Sequence, residues 1–183
     1  MKTFSENERR FKELLLYVSQ QSAEDPTFGA TKLNKILFYS DFMAYAITGE
    51  PITGLEYQKI QNGPAPRRLV PLRQQLIDEQ ALGIQEIPLK SGKIQHRTVN
   101  LRRPDLSVFT ADQISIVDHV ISGLSQVDAN GVSELSHRMI GWKVAKMGET
   151  IPYETVFLSD EPLTPEDIQR GLEVAREHDL VLE

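Results

Sequence analysis

The segment of residues 31–48 constrains the fold more than any other part of the chain. Its apolar residues recur at helical spacing, and it is followed by Gly49, the residue type favoured for a left-handed C-cap. At 100° per residue the apolar side chains fall on two faces, one with Leu33, Ile36 and Leu37 and another with Phe38 and Phe42. A helix that is apolar on two faces must be covered on both, so we expect it at the centre of the fold.

Two strips of polar residues interrupt the apolar surface of this helix. One strip consists of Asn34, Asp41 and Thr48, and the other consists of Lys32, Lys35 and Tyr39. A polar group buried without a hydrogen-bond partner destabilises a fold by about 1–3 kcal/mol. We therefore expect the side chains of both strips to find partners elsewhere in the chain or to reach water.

The rest of the chain alternates between helical and extended patterns. Periodicity, capping residues and proline or glycine stops predict helices over residues 5–22, 69–82, 110–124, 133–138, 142–147 and 164–178. Alternating apolar residues predict strands over residues 55–60, 84–89 and 94–101, the last two forming a hairpin that closes near Ser91 and Gly92. The sequence thus predicts an α+β fold that is mostly α-helical, with about five to seven helices around a small antiparallel sheet or hairpin.

Composition excludes several classes of protein. The 183 residues fit one domain and include no cysteine, which excludes disulfides, thiolate chemistry and cysteine-ligated metals. The longest apolar run, residues 42–47, is far shorter than the roughly 20 residues that a membrane-spanning helix needs. Residues 1–11 are charged where a secretory leader is apolar, so we predict a cytoplasmic protein.

Charge is distributed unevenly along the chain. The net charge is −6, yet residues 57–104 contain nine basic and three acidic residues, whereas residues 149–183 contain ten acidic and two basic ones. An acidic chain is a poor non-specific ligand for nucleic acid, although a local basic face can still meet an anionic partner. We interpret the pattern as a solvated and internally complementary surface.

The search for catalytic or metal-binding residues yields only isolated candidates. Ser125 and Ser136 are the hydroxyl nucleophiles to consider, with His119 and His137 as bases, and none of them stands in a nucleophile elbow. Ser136 and His137 are adjacent, so on a helix their side chains project about 100° apart and do not face each other. The four histidines are scattered, and the chain contains neither a metal-ligand motif nor a phosphate-binding loop. We predict no catalytic, cofactor or metal site, and a hydrolase using these residues remains the alternative.

The string N-G-P-A-P-R-R at residues 62–68 is the most unusual local sequence. Its two prolines make the first part rigid, and its last two residues are basic. It is typical of a corner between a strand and a helix. It is equally typical of a preordered contact loop, since a loop that is already fixed loses little entropy when a partner docks.

Several short motifs occur in an order that resembles the Panacea domain family. They are the T-K-L-N-K-I-L-F-Y run at residues 31–39, the T-G-E-P-I exit at 48–52 and, after Tyr57, the N-G-P turn at 62–64. They continue with L-S-H at residues 135–137, Trp142 and I-P-Y at 151–153. The resemblance covers roughly residues 10–155.

This resemblance implies a role in protein binding. Panacea domains are known as antitoxins that neutralise toxins of several unrelated kinds encoded beside them, and many are encoded in prophages. The related SocA-like proteins are proteolytic adaptors that carry a toxin to a bacterial AAA+ protease. The resemblance implies no enzymatic activity. We also expect no cofactor and no membrane partner, and the acidic net charge argues against a nucleic-acid partner. Residues 1–155 are expected to form the Panacea-like domain, with residues 156–183 as an acidic C-terminal helix packed on it.

We expect the partner-binding surface near the G-P turn and the basic band. Exposed residues there are predicted to contact the toxin: Tyr57, Lys59, Gly63, Pro64, Arg67 and Arg68.

Overall fold

The computed structural model of the chain describes residues 4–162 and 164–177. The helices of this part are α1 (Phe4–Gln21), α2 (Ala30–Thr48), α3 (Leu69–Asp78), α4 (Ala111–Leu124), α5 (Ala129–His137), α6 (Ile140–Val144) and α7 (Pro165–Glu177). The strands are β1 (Tyr57–Ile60), β2 (Gly63–Pro66), β3 (Leu82–Pro88), β4 (Ile94–Asn100) and β5 (Thr150–Ile151), with 3₁₀ turns at Leu106–Val108 and Tyr153–Phe157. The predicted α+β class is confirmed. In the described residues, no helix combines the length and apolar character needed to cross a membrane.

α2 lies at the centre of the fold, as its two apolar faces predict. It contacts α1, α4, α5 and β2. Leu33, Ile36 and Leu37 belong to the larger apolar core, whereas Phe38 and Phe42 belong to a second cluster that packs against β1. The helix therefore joins two cores that lie on opposite sides of it.

Most polar side chains of α2 form a hydrogen bond or an ion pair. Lys32 forms an ion pair with Asp25 in the loop before the helix, with 2.6 Å between Nζ and Oδ2. Asp41 accepts a hydrogen bond of 2.7 Å from the backbone N–H of Thr53. Asn34 is an exception, because its Oδ1 is buried and has no hydrogen-bond partner among the described residues.

One sheet carries the turn singled out in the sequence. Its strand order is β2-β1-β5, and both pairings are antiparallel. Lys59 lies opposite Pro64, and Tyr57 lies between Pro66 and Ile151 in register. β2 is buried along its whole length and contacts α2 and α5. The sheet thus brings the turn, the central helix and the segment around residue 150 together.

The second sheet is the predicted hairpin, formed by β3 and β4. The prediction of this hairpin is confirmed, although β3 begins at Leu82, two residues earlier than expected. The hairpin is joined to α1 by a hydrogen bond of 2.6 Å between the hydroxyl groups of Ser19 and Thr98. Arg97 holds the loop between α1 and α2, since its guanidinium donates to the carbonyl oxygen of Ala23 at 2.8 Å.

The prediction that the third helix runs to residue 82 is wrong. α3 ends at Asp78. Gln80 adopts a left-handed backbone conformation with φ of +54°, and the N–H of Ala81 donates back to the carbonyl of Leu76. This closure turns the chain early, so that Leu82 becomes the first residue of β3.

The C-terminal helix begins where the sequence predicts. Thr164 accepts a hydrogen bond of 3.1 Å from the N–H of Asp167, whose carboxylate accepts one of 2.9 Å from the N–H of Thr164. Ile168 and Leu172 on α7 are 50% and 41% exposed. The predicted last residue of this helix, His178, lies outside the described residues, and the packing of residues 156–183 on the domain stays a prediction.

Candidate functional site

Residues from four motifs of the sequence meet at the turn between β1 and β2. We call this group the turn cluster: Lys35 of α2, Gly63 of the turn, Ser136 and His137 of α5 and Trp142 of α6. These residues are up to about a hundred positions apart in the chain. The elements that carry them are brought together because β2 packs against both α2 and α5.

Gly63 is the point of closest approach in the turn cluster. Its φ is +96°, which is a conformation that side chains rarely adopt. A β-carbon at this position would stand 2.2 Å from the hydroxyl oxygen of Ser136 and 2.7 Å from Nζ of Lys35. The position therefore accepts only glycine, and the hydroxyl and the ammonium group lie within about 5 Å of each other.

Lys35 is an ammonium group buried without a counter-ion. The residue is 1% exposed, and Nζ donates one hydrogen bond of 3.0 Å to the carbonyl of Pro64. Within residues 4–162 and 164–177 no carboxylate pairs with it. Burial lowers the pKa of Lys35 to about 8, because the charged form is poorly solvated. Lys32, one turn earlier and equally buried, has Asp25 as its partner.

Ser136 and His137 point to different neighbours. The hydroxyl of Ser136 donates 2.7 Å to the carbonyl of Ser133. The imidazole of His137 stacks on the indole of Trp142, with ring centroids 4.0 Å apart and planes inclined by 18°. Nε2 of His137 is buried and has no hydrogen-bond partner in the described part of the chain. The arrangement provides no serine–histidine dyad, because a general base has to reach the hydroxyl proton.

The stack continues to the surface through Lys59. Its ammonium group lies 4.2 Å from the ring centroid of Trp142 and donates 2.9 Å to the carbonyl of Ala145. The indole N–H of Trp142 donates 3.3 Å to the carbonyl of Ile60. Burial lowers the pKa of His137, and the positive charges of Lys35 and Lys59 lower it further.

The expectation that Tyr57 is exposed is wrong. The side chain is fully buried, and its hydroxyl donates 2.7 Å to the carboxylate of Asp41. Asp41 is also fully buried, and it accepts hydrogen bonds from the N–H and the hydroxyl of Thr53. Burial raises the pKa of Asp41. Tyr57 points inward because it is the ring that closes the second core over Phe38 and Phe42.

The other residues predicted to bind a partner divide into three groups. Gly63 and Pro64 are buried within β2, a strand of the sheet. Arg67 is exposed and donates 2.7 Å to the carbonyl of Gly148, beside the segment that holds Lys59. Arg68 lies apart from them, because its guanidinium pairs with Glu8 of α1 at 2.6 Å.

Lys59 and Arg67 border an exposed apolar pair that sequence reasoning missed. Val144 and Met147 are 67% and 65% exposed. We call these four residues the α6 surface. No periodic signal marks Val144 and Met147 as exposed, because a five-residue helix followed by a turn has no clear apolar face. In the described residues no group of three or more histidine, aspartate or glutamate side chains is placed to hold a metal ion.

Comparison with known proteins identifies one family. The family model described as "Antitoxin SocA-like, Panacea domain" matches residues 33–143, which is more than half of the chain. Every residue of the turn cluster lies within the match. No curated protein and no solved structure matches the chain.

Proposed function

The chain belongs to the SocA-like antitoxin family that is defined by the Panacea domain, and on this basis we propose that it neutralises a cognate toxin in the cytoplasm by binding it directly. The family match is the observation that carries the proposal. The mechanism is affinity, so the protein occupies a surface that the toxin needs. A stable complex of this kind buries about 800 Å² on each partner.

The polar groups at the turn cluster support a binding role over a catalytic one. The hydroxyl of Ser136 is committed to Ser133, and Lys35 donates to the carbonyl of Pro64. The first contact lies within α5, and the second joins the central helix to β2, which packs against α5. A fixed scaffold loses little conformational entropy on association, which favours tight binding.

We place the toxin contact on the α6 surface. Met147 and Val144 supply exposed apolar area, Lys59 supplies positive charge at its border, and Arg67, which pairs with Glu56 at 3.4 Å, supplies a charged group there. An apolar centre with a charged rim is the usual anatomy of a protein interface. Tyr57, Gly63 and Pro64 are buried and would not contact the toxin themselves. They hold β1 and β2 in place, and Lys59 lies on β1 while Arg67 directly follows β2. Arg68 is left out because it faces α1.

Co-expression with the product of an adjacent gene that inhibits growth tests the function. Growth should recover with the wild-type chain, and a purified mixture should elute as one complex. If no neighbouring product inhibits growth or binds the chain, the antitoxin proposal is rejected.

Two substitutions test the surface. Met147→Asp and Arg67→Glu should each weaken the complex at least tenfold, because they place a negative charge in the contact. Ile47→Asp is the matched control, since Ile47 is 66% exposed at the end of α2 and lies outside the α6 surface. Equal affinity of all three variants rejects the α6 surface while leaving the antitoxin role intact.

A second candidate role, delivery of the toxin to a AAA+ protease, is favoured by α7. An adaptor needs a second surface besides the one that holds the toxin. α7 lies outside residues 33–143 and exposes the apolar side chains of Ile168 and Leu172. The adaptor role is supported if the chain no longer rescues growth in a protease-deficient host. It is also supported if Ile168→Asp abolishes rescue while its affinity for the toxin is unchanged. Rescue that survives both changes supports direct neutralisation.

A further inference from the structure

A cavity of about 330 Å³ lies between the start of α2, the end of the β3–β4 hairpin and the start of α5. Polar side chains line it from all three sides and from the β1–β2 turn: Thr31, Lys32, Asn62, Lys93, Asn130 and Ser133. Among the described residues no carboxylate lines this cavity. A cleft of this volume, lined by donors and without acidic groups, is suited to an anionic small molecule.

Among the basic residues that line the cavity, Lys93 is the one without an ion pair in the described part of the chain. Lys32 is already neutralised by Asp25, and His96, which also lines the cavity, lies 3.5 Å from the carboxylate of Glu86. Lys93 is exposed and forms no ion pair with any residue that the structure describes. Its ammonium group is therefore available to a ligand.

The buried ammonium of Lys35 lies close to residues that line the cavity, since Nζ is 2.7 Å from the β-carbon position of Gly63, which follows Asn62. Three lining residues are immediate neighbours of the turn cluster. Thr31 precedes Lys35 by one helical turn, Asn62 precedes Gly63, and the carbonyl of Ser133 accepts the hydrogen bond of Ser136. An ammonium group has three N–H donors, and the only hydrogen bond recorded for Lys35 in the described part of the chain is the one to Pro64. A buried positive charge without a counter-ion raises the potential at the cavity and favours an anion there.

The backbone at the cavity adds further donors. α2 starts at Ala30 with Gly29 as its N-cap, so no side chain caps it, and its first turn contains no acidic residue. The first residues of the helix line the cavity, and no side chain of the N-cap residue accepts from their N–H groups. α5 contributes less, because Asp128 already caps it by accepting from the N–H of Gly131 at 2.9 Å.

We propose that this cavity binds the phosphate group of a small phosphorylated molecule. Lys93 and Lys35 supply the positive charge, and the amides of Asn62 and Asn130 and the hydroxyls of Thr31 and Ser133 supply hydrogen bonds. The volume is at the lower end of the range for ligand sites and accommodates a phosphate with a compact organic group. This site is separate from the α6 surface, and its test needs no toxin.

Calorimetric titration with inorganic phosphate, pyrophosphate and ribose 5-phosphate at constant ionic strength tests the proposal. Saturable one-to-one binding with a dissociation constant of about 1 mM or below is expected for at least one of them. Stronger binding of ribose 5-phosphate than of inorganic phosphate indicates a phosphorylated metabolite, and the reverse order indicates the free ion. If none of the three binds at about 10 mM, the proposal is wrong.

Variants locate the binding. Lys93→Glu should weaken phosphate binding at least tenfold. Ser133→Asp, which adds a negative charge to the lining of the cavity, should do the same. Lys90→Glu is the matched control, because Lys90 is exposed at the same hairpin end but does not line the cavity. Thermal unfolding of each variant without ligand verifies that it is folded. If Lys93→Glu and Lys90→Glu weaken binding equally, the anion is held by general surface charge and the cavity assignment is wrong.

Lys35→Met separates the buried ammonium from the lining residues. It should weaken binding several-fold in a chain that is still folded, since the residue does not touch solvent and methionine fills a similar volume. Unchanged affinity in this variant would remove Lys35 from the proposal.

Discussion

A side chain at position 63 is excluded by Ser136, since a β-carbon on Gly63 would stand 2.2 Å from the serine hydroxyl oxygen. The two residues are separated by more than seventy positions, yet their contact sets the distance between the β1–β2 turn and α5. α5 leads directly into α6, which presents the α6 surface. The close contact at Gly63 therefore fixes the position of the α6 surface relative to the central helix.

Gly63→Ala should destabilise the fold by about 3 kcal/mol. The positive φ contributes about 1 kcal/mol of strain and the clash with Ser136 and Lys35 about 2 kcal/mol. Gly92→Ala is the matched control, because Gly92 also has a positive φ, of +80°, but nothing lies within 4 Å of its β-carbon position. The control should lose about 1 kcal/mol. Urea unfolding measures both, and equal losses would mean that the contact does not constrain the turn.

Lys35→Met should stabilise the unliganded protein at pH 7 by about 2 kcal/mol. Folding lowers the pKa of Lys35 from 10.5 to about 8, so the unfolded chain binds more protons between these values. The penalty is complete below pH 8 and disappears as the pH rises towards 10.5. The lost hydrogen bond to Pro64 offsets about 1 kcal/mol of the gain.

Lys32→Met is the control for this substitution. Lys32 is equally buried on the same helix but is paired with Asp25, so its removal leaves a carboxylate without its partner. This variant should lose about 3 kcal/mol. Chemical unfolding of both variants from pH 7 to pH 10 gives the comparison. If Lys35→Met is less stable than wild type at every pH, the buried ammonium does not lower the stability of the folded protein.

The contrast between the two lysines marks the limit of what the sequence predicts. Periodicity places both on a polar strip of a central helix, and this is confirmed because the spacing of apolar residues fixes the helix faces. It does not reveal that Lys32 meets a carboxylate and Lys35 only a carbonyl oxygen. Those partners come from a loop and a turn, whose positions depend on how distant elements pack.

Tyr57 illustrates the same limit at the candidate site. In a strand of four residues, alternation does not tell which face is covered, and the sequence therefore led to an exposed tyrosine. The residue that holds it inside is Asp41, on α2. The motifs single out the N-G-P turn, but its contact with Ser136 depends on the packing of β2 against α5, which the sequence does not show.

Tyr57→Phe should destabilise the protein by about 2 kcal/mol, because it removes a hydrogen-bond donor to a fully buried carboxyl group. Burial already raises the pKa of Asp41 above 3.8, and loss of a donor raises it further. The effect is present where Asp41 is ionised and should shrink as the pH falls and the carboxyl becomes protonated. Urea unfolding of both proteins between pH 4 and pH 8 measures the difference. A loss of stability that does not vary with pH would mean that the hydroxyl of Tyr57 does not act on the charged form of Asp41.

Trp142 provides a direct probe of His137, because it is the single tryptophan of the chain and the imidazole is stacked on it. A protonated imidazole in this position should quench the indole fluorescence. Burial lowers the pKa of His137 below 6.5, as do the charges of Lys35 and Lys59, whereas a bond to the backbone of Gln61 and the charge of Glu134 act in the opposite direction. Acidification should therefore quench the fluorescence with a midpoint below pH 6.5.

Substitution of Lys35 and of His137 tests the origin of this midpoint. In Lys35→Met it should move up towards 6.5, since Lys35 has a pKa of about 8 and is charged throughout the titration. In His137→Gln the transition should vanish. Because the unfolded chain binds this proton more readily than the folded one, stability should also decline as the pH falls through 6.5 in wild type and less so in His137→Gln. A midpoint that Lys35→Met leaves unchanged would mean that the buried ammonium does not act on the stacked imidazole.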